Sequence, residues 1–309
     1  MKKLSLLILI LFTSFSVFAQ SRSVSITFDD LPATSANANE LEIITEKLTT
    51  VFKEYDLPVI GFVNEGKLDI RGRTLQERVD LLEAWLEVGA DLGNHTYSHV
   101  FIDRTTIDDY KRDVLRGERV IRPLMEKYGK TLKYFRHPQL RTGPTDAYRN
   151  ELNSFLTTQE YTIAPVTIDN DEYVYAFCYA QAARNDDEEI MRWIQDDYLR
   201  YMNEVFAFYE KQSVEFLGYE PKQTLLLHAN LLNADVFEDL VLMIQDRGYE
   251  FISLEEALKD EAYQREEVQS DRGLSWLHRW MLADGVQPQN HPEVSETINQ
   301  LFTKYRSSR

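Results

Sequence analysis

Two histidines four residues apart, His95 and His99 in HTYSH, and two adjacent aspartates, Asp29 and Asp30 in ITFDDLP, are residue types that could hold a divalent ion in this 309-residue chain. Two neutral imidazoles and one carboxylate suit Zn²⁺ and leave positions open for water and substrate. An ion so held lowers the pKa of its water towards neutrality, and a second carboxylate can take the proton. Adjacent aspartates can divide these tasks, one on the ion and one beside it. A histidine on the opposite side can then protonate a leaving group. Each residue also has an ordinary reading. Paired aspartates cap turns by bonding neighbouring backbone amides, and histidines at i and i+4 meet on a helical face without any metal. His228 after TLLL could be a satisfied core histidine, and Arg136 an ordinary ion-pair partner.

What favours chemistry is where these residues fall. SVSITFDDLP alternates small polar residues with Val24, Ile26 and Phe28 and reads as a strand that delivers Asp29 and Asp30 to its end. A helix over NELEIITEKLTTVFKEY follows, with Leu41, Ile44, Leu48, Val51 and Phe52 on one face, and then the buried strand LPVIGFVNEG. The alternation continues: helix TLQERVDLLEAWLEVG, strand ADLGNH, one helix over IDDYKRDVLRGERVIRPLMEKYG, and strand LKYFRHP. Strand YTIAPVTID, a long helix from Asp186 to Leu217, strand QTLLLHAN, helix NADVFEDLVLMIQDRG and strand YEFISL complete it. Such alternation implies right-handed βαβ units and a parallel sheet or barrel. In such folds ligand chemistry gathers at the carboxyl ends of the strands. That rule selects Asp29 and Asp30, His95 and His99, Arg136, Asp169 with Glu172, and His228, including three of the chain's six histidines.

The termini read differently. MKK followed by LSLLILILFTSFSV and the small residues before Gln20 has the form of a secretory signal peptide over residues 1–19. No later run is apolar for long enough to span a bilayer. A periplasmic or extracellular protein is expected. The single cysteine, Cys178, allows no intramolecular disulfide. With 51 acidic against 34 basic side chains, the net charge of -17 argues against nucleic acid or anionic lipid as partner. Nothing in the sequence assigns an oligomeric state. Residues 20–260 are expected to form one domain and residues 261–309 an extension packed on it. In the extension, Leu274, Trp276, Leu277 and Trp280 could line a sugar groove, although packing anchors are the simpler reading.

In their order along the chain, these motifs resemble the polysaccharide deacetylases of carbohydrate esterase family 4, the NodB homology domain. ITFDD matches the first family motif, NHTYSH the H-(S/T)-x-x-H motif, FRHP resembles R-x-P, and LLLHAN the final strand and histidine. The resemblance covers about residues 23–258. It implies an α/β fold, a distorted (β/α) barrel of seven or eight strands. It also implies that Asp29 is the general base, that Asp30, His95 and His99 hold the metal, that Arg136 fixes and ionises Asp29, and that His228 is the general acid. The backbone N–H of Gln139 is expected to help stabilise the oxyanion.

The chain departs from the family pattern at three places. Leu31 and Pro32 follow the aspartates where the family has glycine, HPQLRTG lacks the family's tyrosine, and IDNDEYVY offers Glu172 and Tyr173 where the family has Asp-Trp. Glu172, or else Asp169 or Asp171, is expected to orient His228, and Tyr173 to cover the acetyl methyl. Thr96, Tyr97 and Ser98 are read as spacers whose hydroxyls could bond a ligand or substrate. The resemblance implies a metal-dependent deacetylase acting on N-acetyl groups of an amino-sugar glycan, and the signal peptide an exported one. Zinc is the expected ion, with cobalt or nickel as substitutes. An O-acetyl esterase on xylan or a similar glycan, and a sugar-binding protein without catalysis, are the competing readings.

Overall fold

The computed structural model describes residues 22–34, 37–270 and 272–307, so the signal-peptide reading of residues 1–19 lies outside the described residues. Its centre is β1, Arg22–Leu31, whose side chains are almost all buried. Strand β2 (Ile60–Val63) and strand β8 (Gln223–His228) lie parallel on its two edges. Outwards from β2 come β5 (Asp91–Asn94), β6 (Tyr134–Phe135) and β7 (Thr162–Ile163), every pair parallel. Strand β9 (Tyr249–Phe251) pairs with the start of β1 on the edge that β2 occupies further along. A small hairpin, β3 (Asp69–Ile70) with β4 (Arg73–Thr74), stands apart.

The sheet is a curled, distorted barrel. After β7 the chain crosses towards the other end of the strand order, where Ile168 forms a single parallel bridge with Leu225 of β8. The nine-residue strand expected over YTIAPVTID is therefore two short extended pieces, each serving a different neighbour.

The helices cover the sheet as the apolar spacing requires. Helix Ala38–Glu54 starts at Asn37, whose side chain accepts the Asn39 N–H at 3.0 Å, and it buries Leu41, Ile44, Leu48 and Phe52. Behind the catalytic-looking end of β1, Phe28 packs edge-on against Trp85 and Phe237, with centroids 5.5 and 5.3 Å away, and Phe52 joins them. Those four rings come from a strand and three separate helices. They clamp β1, and burial of each apolar side chain contributes about 1.5–3 kcal/mol.

Two helical expectations are corrected. The stretch from 107 to 129 forms two helices, Ile107–Arg116 and Ile121–Lys127, rather than one. Gly117 lies where a Cβ would stand 2.6 Å from the Thr96 carbonyl carbon, so the chain must pass the HTYSH loop closely there. The second helix then begins on the buried Glu65 carboxylate, which accepts the Val120 and Ile121 N–H groups at 2.8 and 2.7 Å. The other correction is helix Glu172–Arg184, which lies between the strand and the long helix where the sequence pattern announces no element. Its buried Glu172, Tyr175, Cys178, Tyr179 and Ala182 follow helical spacing, but their mixed chemistry hides the pattern.

Helix Glu188–Leu217 spans 30 residues. Beyond residue 260, Trp276, Leu277 and Trp280 are buried in the main core, and Trp276 N–H bonds the Val166 carbonyl at 2.6 Å. These aromatics are anchors and line no sugar groove. The last helix, Glu296–Ser307, packs on Glu172–Arg184, where Phe302 meets Phe177. No helix among the described residues is long and apolar enough to cross a membrane.

Candidate metal centre and its acid–base partners

Consecutive strand residues point to opposite faces, so Asp29 and Asp30 could not share a site in a regular strand. The ladder between β1 and β2 slips between Phe28 and Leu31, and Asp30 adopts a positive φ of 71°. This bulge swings both carboxylates to one point. Leu31 and Pro32 follow in place of the family's glycine, yet the bulge forms.

His95 and His99 do not lie on a helix. Residues 95–99 are an irregular loop with positive φ at Thr96 and His99, so the four-residue spacing has no helical meaning. The loop is tied on all sides. Asn94 Oδ1 accepts the Thr96 N–H at 2.7 Å, and Thr96 Oγ1 accepts the His99 N–H at 3.0 Å. Tyr97 O–H donates to Asp69, and Ser98 donates to Asp113 through both its N–H and its hydroxyl. Tyr97 and Ser98 therefore brace the loop and turn away from any substrate. The Arg116 guanidinium caps the Tyr97 ring at 3.4 Å.

The result is a convergent donor set. His99 Nε2 lies 3.6 Å and His95 Nε2 4.0 Å from Asp30 Oδ1, and His95 Nε2 is 3.6 Å from Asp29 Oδ2. One ligand atom from each of Asp30, His95 and His99 falls within 4.8 Å of the others. His95 Nδ1 sits 2.8 Å from the Arg136 carbonyl, so Nδ1–H donates and the lone pair of Nε2 faces the centre. Gln139 meets His99 Nδ1 at 2.9 Å through its side-chain amide, which a half-turn equips to accept an Nδ1–H. Burial depresses both imidazoles, which keeps them neutral. Burial pushes Asp30 upwards, but Lys67 and His99 outweigh it and hold the carboxyl well below its ordinary range. Asp29 Oδ1 and Asp30 Oδ1 are buried with no hydrogen-bond partner among the described residues. Two neutral imidazoles and a buried carboxylate oxygen that accepts no hydrogen bond fit a divalent cation.

Two proton-handling groups flank that centre. Burial raises Asp29, against the pull of Arg136, whose Nη1 stands 3.5 Å from Asp29 Oδ1. Arg136 is itself buried, donates to Thr27 Oγ1 at 3.0 Å and lies over the Phe62 ring. His228 is the register partner of Asp29 on the adjacent strand, so the two meet across the site by pairing alone. Of the three acids the sequence offers, Glu172 is the one bonded to His228, with Oε2 2.8 Å from Nδ1. Burial acts to lower the imidazole, but Glu172, with help from Asp30 and Asp29, brings it up to about 9. Asp169 instead accepts the Asn170 N–H, and Asp171 faces His291 at 3.9 Å.

Several residues here escaped the sequence reading. Asn230 and Asn233 donate to Glu172 Oε1, and Asn233 receives the Tyr198 hydroxyl from the long helix at 2.8 Å. The N-cap position of Asn230, before an apolar helix, was a usable signal. Lys67 and His291 carry no local signal. Gln139 has a positive φ of 52° in a loop pinned by the buried Arg279, which donates to the Leu140 and Val268 carbonyls at 2.6 and 3.0 Å. Tyr173 is 56% exposed. It stands with Asp30 and His228 where two hollows of about 350 and 330 Å³ meet.

Residues 18–156 match the family model for polysaccharide deacetylase. No curated protein matches the chain. Among solved structures, the polysaccharide deacetylase Bc1974 from Bacillus cereus aligns with a TM-score of 0.49 and 18% identity over 75% of this chain and 91% of that one. A family 4 acetyl xylan esterase from Clostridium thermocellum, in complex with a cobalt ion, aligns at 0.47 and 16% identity over 77% and 91%. BA3943, a family 4 pseudoenzyme from Bacillus anthracis, aligns at 0.48 and 13% identity over 77% and 66%. Residues 18–156, which include Asp29, Asp30, His95, His99 and Arg136, are thus similar to a polysaccharide deacetylase domain.

Proposed function

We propose that the protein is an exported, metal-dependent deacetylase that hydrolyses N-acetyl groups of an amino-sugar glycan and releases acetate. The observation that carries this reading is the His228–Glu172 pair facing Asp29 across the donor set. An amide releases a poor leaving group that must be protonated, and an imidazole with its pKa at about 9 is protonated at neutral pH.

Asp30, His95 and His99 hold the ion, zinc or in its place cobalt or nickel. When bound, such an ion polarises the acyl oxygen and makes water more acidic. Asp29 accepts a proton from the attacking water, and its burial makes it a better base than an exposed aspartate. Arg136 keeps Asp29 oriented and ionised. As the carbon–nitrogen bond breaks, Nε2–H of His228 protonates the departing nitrogen, while Glu172 holds Nδ1. The Gln139 N–H serves the oxyanion, and Tyr173 covers the acetyl methyl.

Acetate release from N-acetylglucosamine oligomers tests the reading. Wild type should release acetate, chelation should stop it, and Asp29→Asn should lower it by about 10²–10⁴-fold. Unchanged release by Asp29→Asn would falsify the mechanism. A mere modest loss in His228→Ala on O-acetylated xylan, with no action on N-acetyl groups, would move the assignment to an esterase.

A further inference from the structure

Besides the two histidines, Asp30 faces the ammonium of Lys67. Lys67 lies in the short 3-10 turn Glu65–Leu68 after β2. Its Nζ donates to the Asp30 carbonyl at 2.9 Å and stands 3.3 Å from Asp30 Oδ1. That is the oxygen which faces His99 Nε2 at 3.6 Å and His95 Nε2 at 4.0 Å. An ammonium and a divalent ion therefore address one carboxylate oxygen.

The placement is built in. Gly66 N–H bonds the Tyr97 carbonyl at 2.8 Å, and a Cβ on Gly66 would stand 2.5 Å from that oxygen, so the turn rests directly on the histidine loop. The buried Glu65 fastens the same turn to the start of helix Ile121–Lys127. Arg78 donates to the Lys67 carbonyl. A lysine whose backbone is fixed at both sides, and whose side chain is two-thirds buried, is aimed at Asp30 rather than wandering past it.

We propose that Lys67 is a positioning residue that sets the affinity of the metal centre: its ammonium holds Asp30 in place and opposes the ion by charge. This rests on the reading of Asp30, His95 and His99 as ligands. The physical ground is simple. A unit charge a few ångströms from a divalent ion, even when screened as in bulk water, weakens binding by about tenfold. A lysine that merely braced the loop would have the opposite effect, because losing a brace on a ligand lowers affinity.

Zinc affinity of the full chain, measured by competition with a chromogenic chelator, separates the two. Lys67→Met is expected to bind zinc about tenfold more tightly than wild type. Lys67→Arg, which keeps the charge, should stay close to wild type. Unchanged or weaker binding by Lys67→Met, with its fold intact by circular dichroism, overturns the proposal. A second measurement needs no metal. In chelator-treated protein, Lys67→Met should lower the melting temperature, and adding Asp30→Asn to that variant should restore part of the loss. If the two effects simply add, Lys67 and Asp30 are not coupled and the proposal fails. Wild type that binds no zinc, together with a coupled Lys67–Asp30 pair, would instead overturn the ligand reading and leave only the pair.

Discussion

The donor half of the cleft is assembled from strand ends of one sheet and the short loops that follow them, whereas His228, also at a strand end, takes its partner Glu172 from a helix start brought in from elsewhere in the chain. Asp29, Asp30, His95, His99 and Arg136 leave β1, β5 and β6, and short loops with local hydrogen bonds fix them. Glu172 begins a helix, receives Asn230 and Asn233 from another helix start, and is backed by Tyr198 of the long helix. Gln139 is held by Arg279 of the C-terminal extension. The first half is therefore a property of the strand ends, and the second of the helices packed beside them.

Breaking the donor half should cost most. Asp29→Asn, which removes the base but leaves Asp30, His95 and His99 intact, should lower acetate release by about 10²–10⁴-fold with zinc content unchanged. Disturbing the other half should cost less and change the pH profile. With His228 raised to about 9, the protonated acid is present below that pH and lost above it, so activity should fall as pH rises through about 9. Glu172→Gln leaves only Asp30 and Asp29 to oppose the burial penalty on His228. Its alkaline limb should move down from about 9, with about a tenfold or greater loss of activity at pH 8. A Glu172→Gln enzyme whose limb does not move would show that the pair has no part in proton donation.

Lesser effects test the extension. Arg279→Met leaves the buried Leu140 carbonyl and the part-buried Val268 carbonyl without their donor, and a buried group so left costs about 1–3 kcal/mol. Denaturation should show a stability loss of about 3 kcal/mol. A rise in KM should follow as the Gln139 loop shifts. Tyr173→Ala, at an exposed position, should leave stability unaltered and raise KM about threefold, the worth of one aromatic contact.

The same division explains what was legible in the sequence. Strand alternation and the polar residues that end each strand were enough to bring Asp29, Asp30, His95, His99, Arg136 and His228 to one rim, because a parallel sheet places strand ends together whatever lies between. The identity of the acid behind His228 was legible only as a choice among Asp169, Asp171 and Glu172. Which one reaches His228 depends on where a helix starts, and helix Glu172–Arg184 was hidden by its mixture of tyrosines, alanines and one buried glutamate. Lys67 could not be seen at all, because its partner lies 37 residues away across a bulge whose shape no local pattern announces. The helical reading of HxxxH failed for a related reason: tertiary hydrogen bonds from Asn94 and Asp113, not spacing, shape that loop.

The central claim is that one divalent ion sits on Asp30, His95 and His99. Equilibrium dialysis against zinc, followed by elemental analysis, addresses it directly. One zinc ion per wild-type chain, lost in His95→Ala and in Asp30→Asn but retained in Asp29→Asn, is the predicted result. Wild type without zinc, or variants of the two ligands that still hold a full equivalent, would contradict it.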